Sequence, residues 1–278
     1  MPLLNQFKHK VLLVHNAYQQ RGGEDSVADA EAQLLRERGH EVLEYRRSNF
    51  DLESISKLRA LTSTLWSKQT TSEVAALLQS SKADIIHVHN TFPLISPSIY
   101  WAASQAGVPV VQTLHNFRLF CPQAMLLRDG KVCESCVGKA VPWPGVLHRC
   151  YRGSVTQSAA LATMLTLHRG LGTWQHKIDR YIALNEFCRD KFIEGGLPAD
   201  RITIKPNFID YPLPPDFSNR SGGLFVGRLS PEKGIATLIE AIRSTHCTSL
   251  QAMRVVGTGE LDPLAREAFG SHFLRQRH

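Results

Sequence analysis

Gly222-Gly223-Leu224-Phe225-Val226-Gly227-Arg228-Leu229-Ser230-Pro231-Glu232-Lys233-Gly234 decides how the rest of the chain is read. Leu224-Phe225-Val226 is a short apolar run of the kind that forms buried parallel strands, and Gly227 ends it. Ser230-Pro231-Glu232 reads as a helix start, a capping hydroxyl followed by proline at the first helical position. Ile235, Leu238, Ile239 and Ile242 then recur at helical spacing. Strand, turn and helix in that order put Arg228 and Lys233 at the carboxyl end of a parallel strand, beside a helix N-terminus. Two cations and the positive end of a helix dipole suit a diphosphate. A solvated pair of surface charges is the alternative these residues leave open.

The run Gly-Arg-Leu-Ser-Pro-Glu-Lys-Gly, Gly227 to Gly234, resembles the donor-phosphate motif of the family 4 glycosyltransferases, retaining enzymes of GT-B type. The resemblance implies an α/β chain of two Rossmann-like domains and a nucleotide-sugar donor. It also implies that Arg228 and Lys233 neutralise the departing diphosphate as catalytic cations, with no catalytic metal. The product would be a glycan or a lipid-linked sugar, as in bacterial-type polysaccharide and cell-envelope glycan synthesis.

Working outward, the 278 residues are 43% hydrophobic and 21% charged, an ordinary globular composition long enough for two domains. The formal net charge of +7 favours anionic partners. It is spread along the chain with no basic block and no aromatic-interleaved basic motif, which argues against nucleic acid. Met1 to Lys10 lacks the apolar core of a signal peptide, and no apolar run approaches the roughly 20 residues of a membrane span. A cytoplasmic protein is expected, peripheral at most to the inner membrane surface, with its six cysteines reduced or metal-bound.

Val11-Leu12-Leu13-Val14 reads as a fully buried first strand. A polar loop ending in Gly22-Gly23 follows, and Asp25 or Ser26 is placed to cap a helix that Gly39 closes. Glycines before a helix let backbone N–H groups approach an anion, but a flexible turn explains them equally. The dinucleotide pattern G-x-G-x-x-G is absent, which disfavours an NAD-dependent enzyme. Strands at Glu41–Tyr45, Ile85–Asn90, Val108–His115 and Tyr181–Asn185 alternate with helical stretches at 52–78, from Ser96-Pro97, and from Glu186. That alternation marks a doubly wound fold whose ligands bind beyond the carboxyl ends of its strands. The resemblance places Gly22 and Gly23 near the donor phosphate, Asn185 and Glu186 in the cleft, and His115 against the transferred sugar. A structural hydrogen-bonding role is the other reading of His115. His87 reads as a satisfied core histidine, and His89 as a strand-end residue.

Cys121, Cys133, Cys136 and Cys150 form C-x11-C-x2-C-x13-C within a Gly-, Pro- and Trp-bearing loop at 117–152. Two readings stand: a structural zinc staple, or four reduced thiols partly buried as small hydrophobes. Val155 to Leu171 reads as a core-packing helix. His148, Arg149, Arg152 and Arg169 flank it, so a surface-lying role beside a lipid-linked acceptor is the alternative.

The expected boundaries are an N-terminal acceptor-side domain at 1–210, a Pro-rich linker at 211–221, and a partial nucleotide-sugar domain at 222–278. Its second strand leads into Gly257-Thr258-Gly259, which resembles the family's turn near the nucleotide. Only one βαβ unit is expected in the 57 residues from Gly222. The family's E-x7-E is missing, since only six residues separate Glu260 from Glu267. A truncated glycosyltransferase, with or without a complementing chain, is therefore the reading. A non-catalytic acceptor- or partner-binding protein and a GT-B nucleotide-sugar epimerase are its rivals.

Overall fold

The computed structural model describes residues 8–209, 216, 218, 222–244, 253–270 and 273–274, with the side chains of 57–58 and 273–274 left out. The chain divides into two compact units, 1–209 and 210–278. The 211–221 linker lies outside the described residues apart from Asp216 and Ser218, whose N–H and hydroxyl both donate to Asp216 Oδ1.

The first unit runs β1 (Lys10–Ala17), α1 (Gly23–Glu37), β2 (Glu41–Ser48), α2 (Lys57–Leu65), α3 (Lys68–Ser81), β3 (Ile85–Asn90), α4 (Ser98–Ala106) and β4 (Val110–Leu114). The cysteine-bearing loop contributes β5 (Leu127–Arg128), β6 (Lys131–Val132) and α5 (Trp143–Leu147). Then come α6 (Val155–Gly170), α7 (Thr173–His176), β7 (Arg180–Ala183), α8 (Glu186–Glu194) and β8 (Ile202–Ile204). Six strands form one parallel sheet in the order β2-β1-β3-β4-β7-β8. The chain winds outward both ways from β1 and β3, so the topological switch point lies between those two strands.

Alternation along β1 sorts the core. Leu12 and Val14 join Ile86, Val88, Leu114 and Tyr181 in the main cluster under α3, α4 and α6, while Leu13 packs on the opposite face with Ala28 and Ala32 of α1. Hydroxyls start the helices: Ser67 accepts from the Thr70 N–H of α3 at 3.2 Å, and Ser154 from the Gln157 N–H of α6 at 3.3 Å. The stretch expected to be helical at 52–78 is instead a 3₁₀ turn at Asn49–Ser54 followed by α2 and α3, because Ser67 caps a fresh helix after Trp66 turns extended. α6 buries Leu161, Met164 and Leu165 in the main core, with Val155 and Leu167 left outside.

The second unit is β9 (Gly223–Val226), α9 (Ile235–Ser244), β10 (Met253–Val256), α10 (Asp262–Phe269) and β11 (Phe273–Leu274), a parallel sheet in the order β11-β10-β9. α10 and β11 extend the expected β–α–β by a second crossover. Leu229, Ile235, Ile239, Val255, Ala265 and Phe269 make its core. β9 is not a fully buried strand: it is an edge, and Leu224 and Val226 are 65% and 66% exposed. Among the described residues, no helix is long and apolar enough to cross a membrane.

All four tryptophans lie in the first unit, so their fluorescence reports its unfolding alone. Leu161 is 1% exposed. Leu161→Ala is expected to lower that unit's stability by about 2–5 kcal/mol, read from the urea midpoint. A loss below about 1 kcal/mol would take Leu161 out of the core.

Candidate active site

The carboxyl ends of β1, β3 and β4 carry the polar residues the first unit buries. β1 ends in His15 and Asn16, both fully buried. His87 and His89 lie two apart on β3, hence on one face, with ring centroids 4.4 Å apart. α1 covers that face and supplies two buried acids. Asp25 Oδ1 lies 2.8 Å from His15 Nε2, and Glu31 Oε2 lies 3.5 Å and 3.6 Å from Nε2 of His87 and His89. The Lys205 ammonium, just beyond β8, is in direct contact with Glu31 Oε1.

Asp25 also fixes how α1 begins. It accepts from the Gly22 N–H at 2.7 Å and the Tyr18 N–H at 3.2 Å. The N-cap is therefore Gly22 rather than Asp25 or Ser26, and Asp25 is the third helical residue reaching back. Burial alone would raise its carboxyl, but His15 and the two N–H donors hold it below the usual carboxylate range. Gly22 and Gly23 have no tight neighbours that a side chain would strike, so close packing does not explain them. Glu24 stands next in line. Asn116 donates to it at 2.7 Å and Tyr18 at 3.0 Å, and burial still pushes its carboxyl up. The glycine loop and the segment after β4 are thus joined through Glu24 and Asn116.

His115, one residue past β4, lies with Nε2 3.0 Å from His89 Nδ1. His89 Nε2 makes no hydrogen bond but faces Glu31 Oε2 at 3.6 Å, which favours a proton there and His115 Nε2–H as the donor to His89 Nδ1. That leaves His115 Nδ1 as an acceptor. Burial, the neighbouring histidines and Lys205 push His115 down to about 4, so the ring is neutral at pH 7. His87 is pushed down to about 4 by burial and by Lys205, and meets Thr113 Oγ1 at 2.8 Å. A narrow cavity of about 50 Å³ beside His89 and His115 also reaches Asn116 and Arg118.

Among the described residues, Glu31, His87 and His89 have ligand atoms within 4.8 Å of one another, a spacing able to hold a metal. Lys205 already supplies the positive charge at Glu31, Thr113 meets His87 Nε2 and His115 meets His89 Nδ1, while the buried His89 Nε2 has no hydrogen-bond partner. Glu31 and Lys205 form the ion pair here, and burial holds the two histidines beside them neutral.

Asn185 and Glu186 follow β7 on the same sheet edge. Both are exposed, and Asn185 accepts from the Cys188 N–H at 2.8 Å, capping α8. The four cysteines at 121, 133, 136 and 150 line one small cavity of about 10 Å³.

In the second unit, Arg228 and Lys233 are exposed on the turn after β9. Pro231–Lys233 is a 3₁₀ turn, not the first turn of an α-helix. Gly234, left-handed at φ +73°, breaks it, and α9 starts only at Ile235. The Ser230 hydroxyl donates to Glu232 Oε1 at 2.6 Å instead of capping, and Glu232 sits 3.9 Å from Arg228. Gly257 and Gly259 have a packing reason of their own. A Cβ on them would come within 1.9 Å of Gly227 O and 2.3 Å of Leu229 O. The two turns are laced together by Gly227 N–H to Val256 O at 3.0 Å and Leu229 N–H to Thr258 O at 2.9 Å.

The profile of glycosyltransferase family 4 matches residues 21–211. Solved structures share the fold. The lipopolysaccharide outer core galactosyltransferase WaaB aligns over 96% of this chain and 67% of its own, at 13% identity and TM-score 0.52. HepE of Anabaena, in complex with UDP and glucose, aligns over 97% and 70%, at 16% identity and TM-score 0.53. No curated protein matches the sequence.

The depressed histidines set a pH dependence. Unfolded imidazoles titrate near about 6.5, and folded His87 and His115 near about 4. Between those values the unfolded chain binds more protons, so stability is full above about 6.5 and is lost as pH falls toward about 4. Denaturation midpoints measured across that window are expected to decline, and His87→Gln to shallow the decline. An identical slope in the variant would remove His87 from the group responsible.

Proposed function

This chain belongs to glycosyltransferase family 4, and we propose that it transfers a sugar, with retention at the anomeric carbon, from a nucleoside-diphosphate sugar to a lipid-linked or glycan acceptor of the cell envelope. The observation that carries the reading is the Arg228–Lys233 turn at the carboxyl end of β9, held by its lacing to Gly257-Thr258-Gly259. The donor class is supported by HepE, solved with UDP and glucose.

In this reading Arg228 and Lys233 bind the diphosphate and stabilise its negative charge as the glycosidic bond breaks. Each cation at about 4 Å in a surface-like dielectric contributes roughly 4 kcal/mol of attraction, without a divalent metal. Gly257 and Gly259 hold that turn in shape beside the nucleotide. His115 Nδ1 accepts a hydroxyl hydrogen of the transferred sugar, and its neutrality keeps a second positive charge away from an oxocarbenium-like centre. Gly23 offers its backbone N–H to the donor phosphate, with Gly22 as the N-cap before it, and Asn185 and Glu186 hydrogen-bond substrate from the end of β7.

The acceptor side draws on exposed apolar groups of α5 and α6. Trp143, Leu147 and Val155 are 55%, 65% and 47% exposed and share a groove with Arg149. Apolar side chains ringed by Lys139, His148, Arg149 and Arg152 suit the interface of an anionic membrane carrying a lipid-linked acceptor. Trp143→Ala with Leu147→Ala is expected to weaken co-sedimentation with anionic vesicles relative to the unaltered chain. Equal sedimentation with zwitterionic and anionic vesicles would remove the charge component.

Lys233→Ala is expected to lower kcat/KM by about 10²–10³-fold against a panel of nucleoside-diphosphate hexoses, with the fold unchanged by circular dichroism. Unaltered turnover in that variant overturns the phosphate assignment. Binding of acceptor with no transfer or hydrolysis of any donor, in the unaltered chain, overturns catalysis itself.

A further inference from the structure

The loop from Phe117 to Arg152 has little regular structure of its own: two two-residue strands and one five-residue helix. It also concentrates backbone strain. Among the described residues, seven non-glycine positions have positive φ, and Ala124, Leu126, Asp129, Arg149 and Arg152 are five of them. Left-handed conformations of this kind cost about 1 kcal/mol or more each and persist only where the surroundings over-determine them. A long loop in that state needs ties: Phe120, Cys121 and Leu126 join the main core at its start, while Val132, Val141 and Leu147 further along are exposed.

The four cysteines reach one small cavity by different routes, with no three of their sulfurs yet within 4.8 Å of one another. Cys121 ends the turn after β4, its N–H donating to Phe117 O at 2.9 Å. The β5–β6 hairpin delivers Cys133, whose N–H donates to Leu126 O at 2.8 Å. A turn closed by Val137 N–H to Glu134 O at 2.9 Å brings Cys136 back toward it. Cys150 follows α5, its N–H donating to Gly145 O at 2.9 Å. Gly145 lies so close to the Cys121 segment that a Cβ would stand 2.6 Å from Pro122 Cγ. All four residues line the same cavity of about 10 Å³, the space of about one small sphere. Hairpin, two-residue spacer and two distant cysteines are the parts of a closed thiolate site.

We propose that Cys121, Cys133, Cys136 and Cys150 bind one zinc ion as a structural tetrathiolate that staples the 117–152 loop to the sheet of the first unit. Zn–S bonds of about 2.3 Å set sulfurs roughly 3.8 Å apart around the ion. Cys133 Sγ now lies 3.5 Å from Ser135 Oγ, and Cys136 Sγ 3.9 Å from Pro142 O. Closing the shell therefore turns these side chains toward the cavity. Each thiol gives up its proton to solvent on binding, and the resulting doubly negative centre faces Arg128, which also lines the cavity. Cys121 is packed in the main core, so the ion ties loop to sheet.

The inference stands apart from sugar transfer, because its test uses no substrate. The untagged chain, produced with zinc supplied and then dialysed, is expected to carry one zinc per chain by elemental analysis. Native thiol titration is expected to leave the four cysteines unreactive until a chelator is added, and zinc release to accompany their exposure. Cobalt substitution is expected to give sulfur-to-metal charge-transfer absorption with tetrahedral ligand-field bands. The double variant Cys133→Ser with Cys136→Ser is expected to lose the metal, and Cys188→Ser, outside the cluster, to keep it. A wild-type chain free of zinc, one with a disulfide within the cluster, or a double variant that retains full zinc each overturns the proposal. The first two are read on the unaltered protein, so misfolding of a variant does not shield the inference.

Discussion

The Glu31–Lys205 ion pair is the constraint on which the buried end of the first unit depends. Glu31 is 5% exposed on α1, behind the sheet, and a carboxylate there is tolerable only with a partner. Lys205 comes from beyond β8, at the far edge of the sheet order from β1, so the pair ties the chain's first helix to the end of its last strand in this unit. That carboxylate faces His89 Nε2 at 3.6 Å, and His89 Nδ1 meets His115 Nε2 at 3.0 Å. The outward-facing chemistry of His115 is thus set by a helix residue more than eighty positions earlier. Neither residue touches the exposed ring nitrogen.

How much of this was legible in the sequence follows from what each signal measures. Apolar runs and the glycines between them locate strands, and all the expected strands of the first unit are present: β1, buried along nearly its whole length, leaves an unbroken apolar run, whereas β2 is a half-exposed edge. The split of 52–78 into a turn and two helices was hidden because the whole stretch keeps helical composition, and only Ser67 marks the restart. The alternation rule put His87 and His89 on one face. Reading His87 as core and His89 as a ligand-side residue separated two rings that touch. Asp25 was legible as a cap but not as the partner of His15, and Glu31 and Lys205 gave no local signal, since each works through a partner in another element. The 3₁₀ turn at Pro231–Lys233 misled in a different way: Ser-Pro-Glu is a sound helix start, and Gly234 overrides it by taking a left-handed conformation.

The glycines divide by physical necessity. Gly257 and Gly259 are required by two backbones crossing within van der Waals contact, whatever ligand that turn meets. Their presence is evidence for a rigid turn first. Gly22 and Gly23 have no such neighbours, so a packing explanation fails; the Gly22 N–H is already donated to Asp25, and backbone access remains a reason for Gly23 alone. Asn185 falls on the other side of that division, because its side-chain oxygen already caps α8 and only its amide is left to meet a substrate.

Neutrality is what the histidine cluster achieves. Four imidazoles lie at one sheet edge: His15, His87, His89 and His115. Lys205 and the burial of the group make a proton on any one of the last three costly. A protonated His115 would offer N–H donors on both sides and lose the lone pair that accepts a hydroxyl. A lone exposed histidine would be partly charged near neutral pH. Stacking His115 against a buried neighbour, itself oriented by a carboxylate, keeps the ring an acceptor throughout the physiological range, and the carboxylate's own charge is spent on Lys205 rather than on raising the imidazoles.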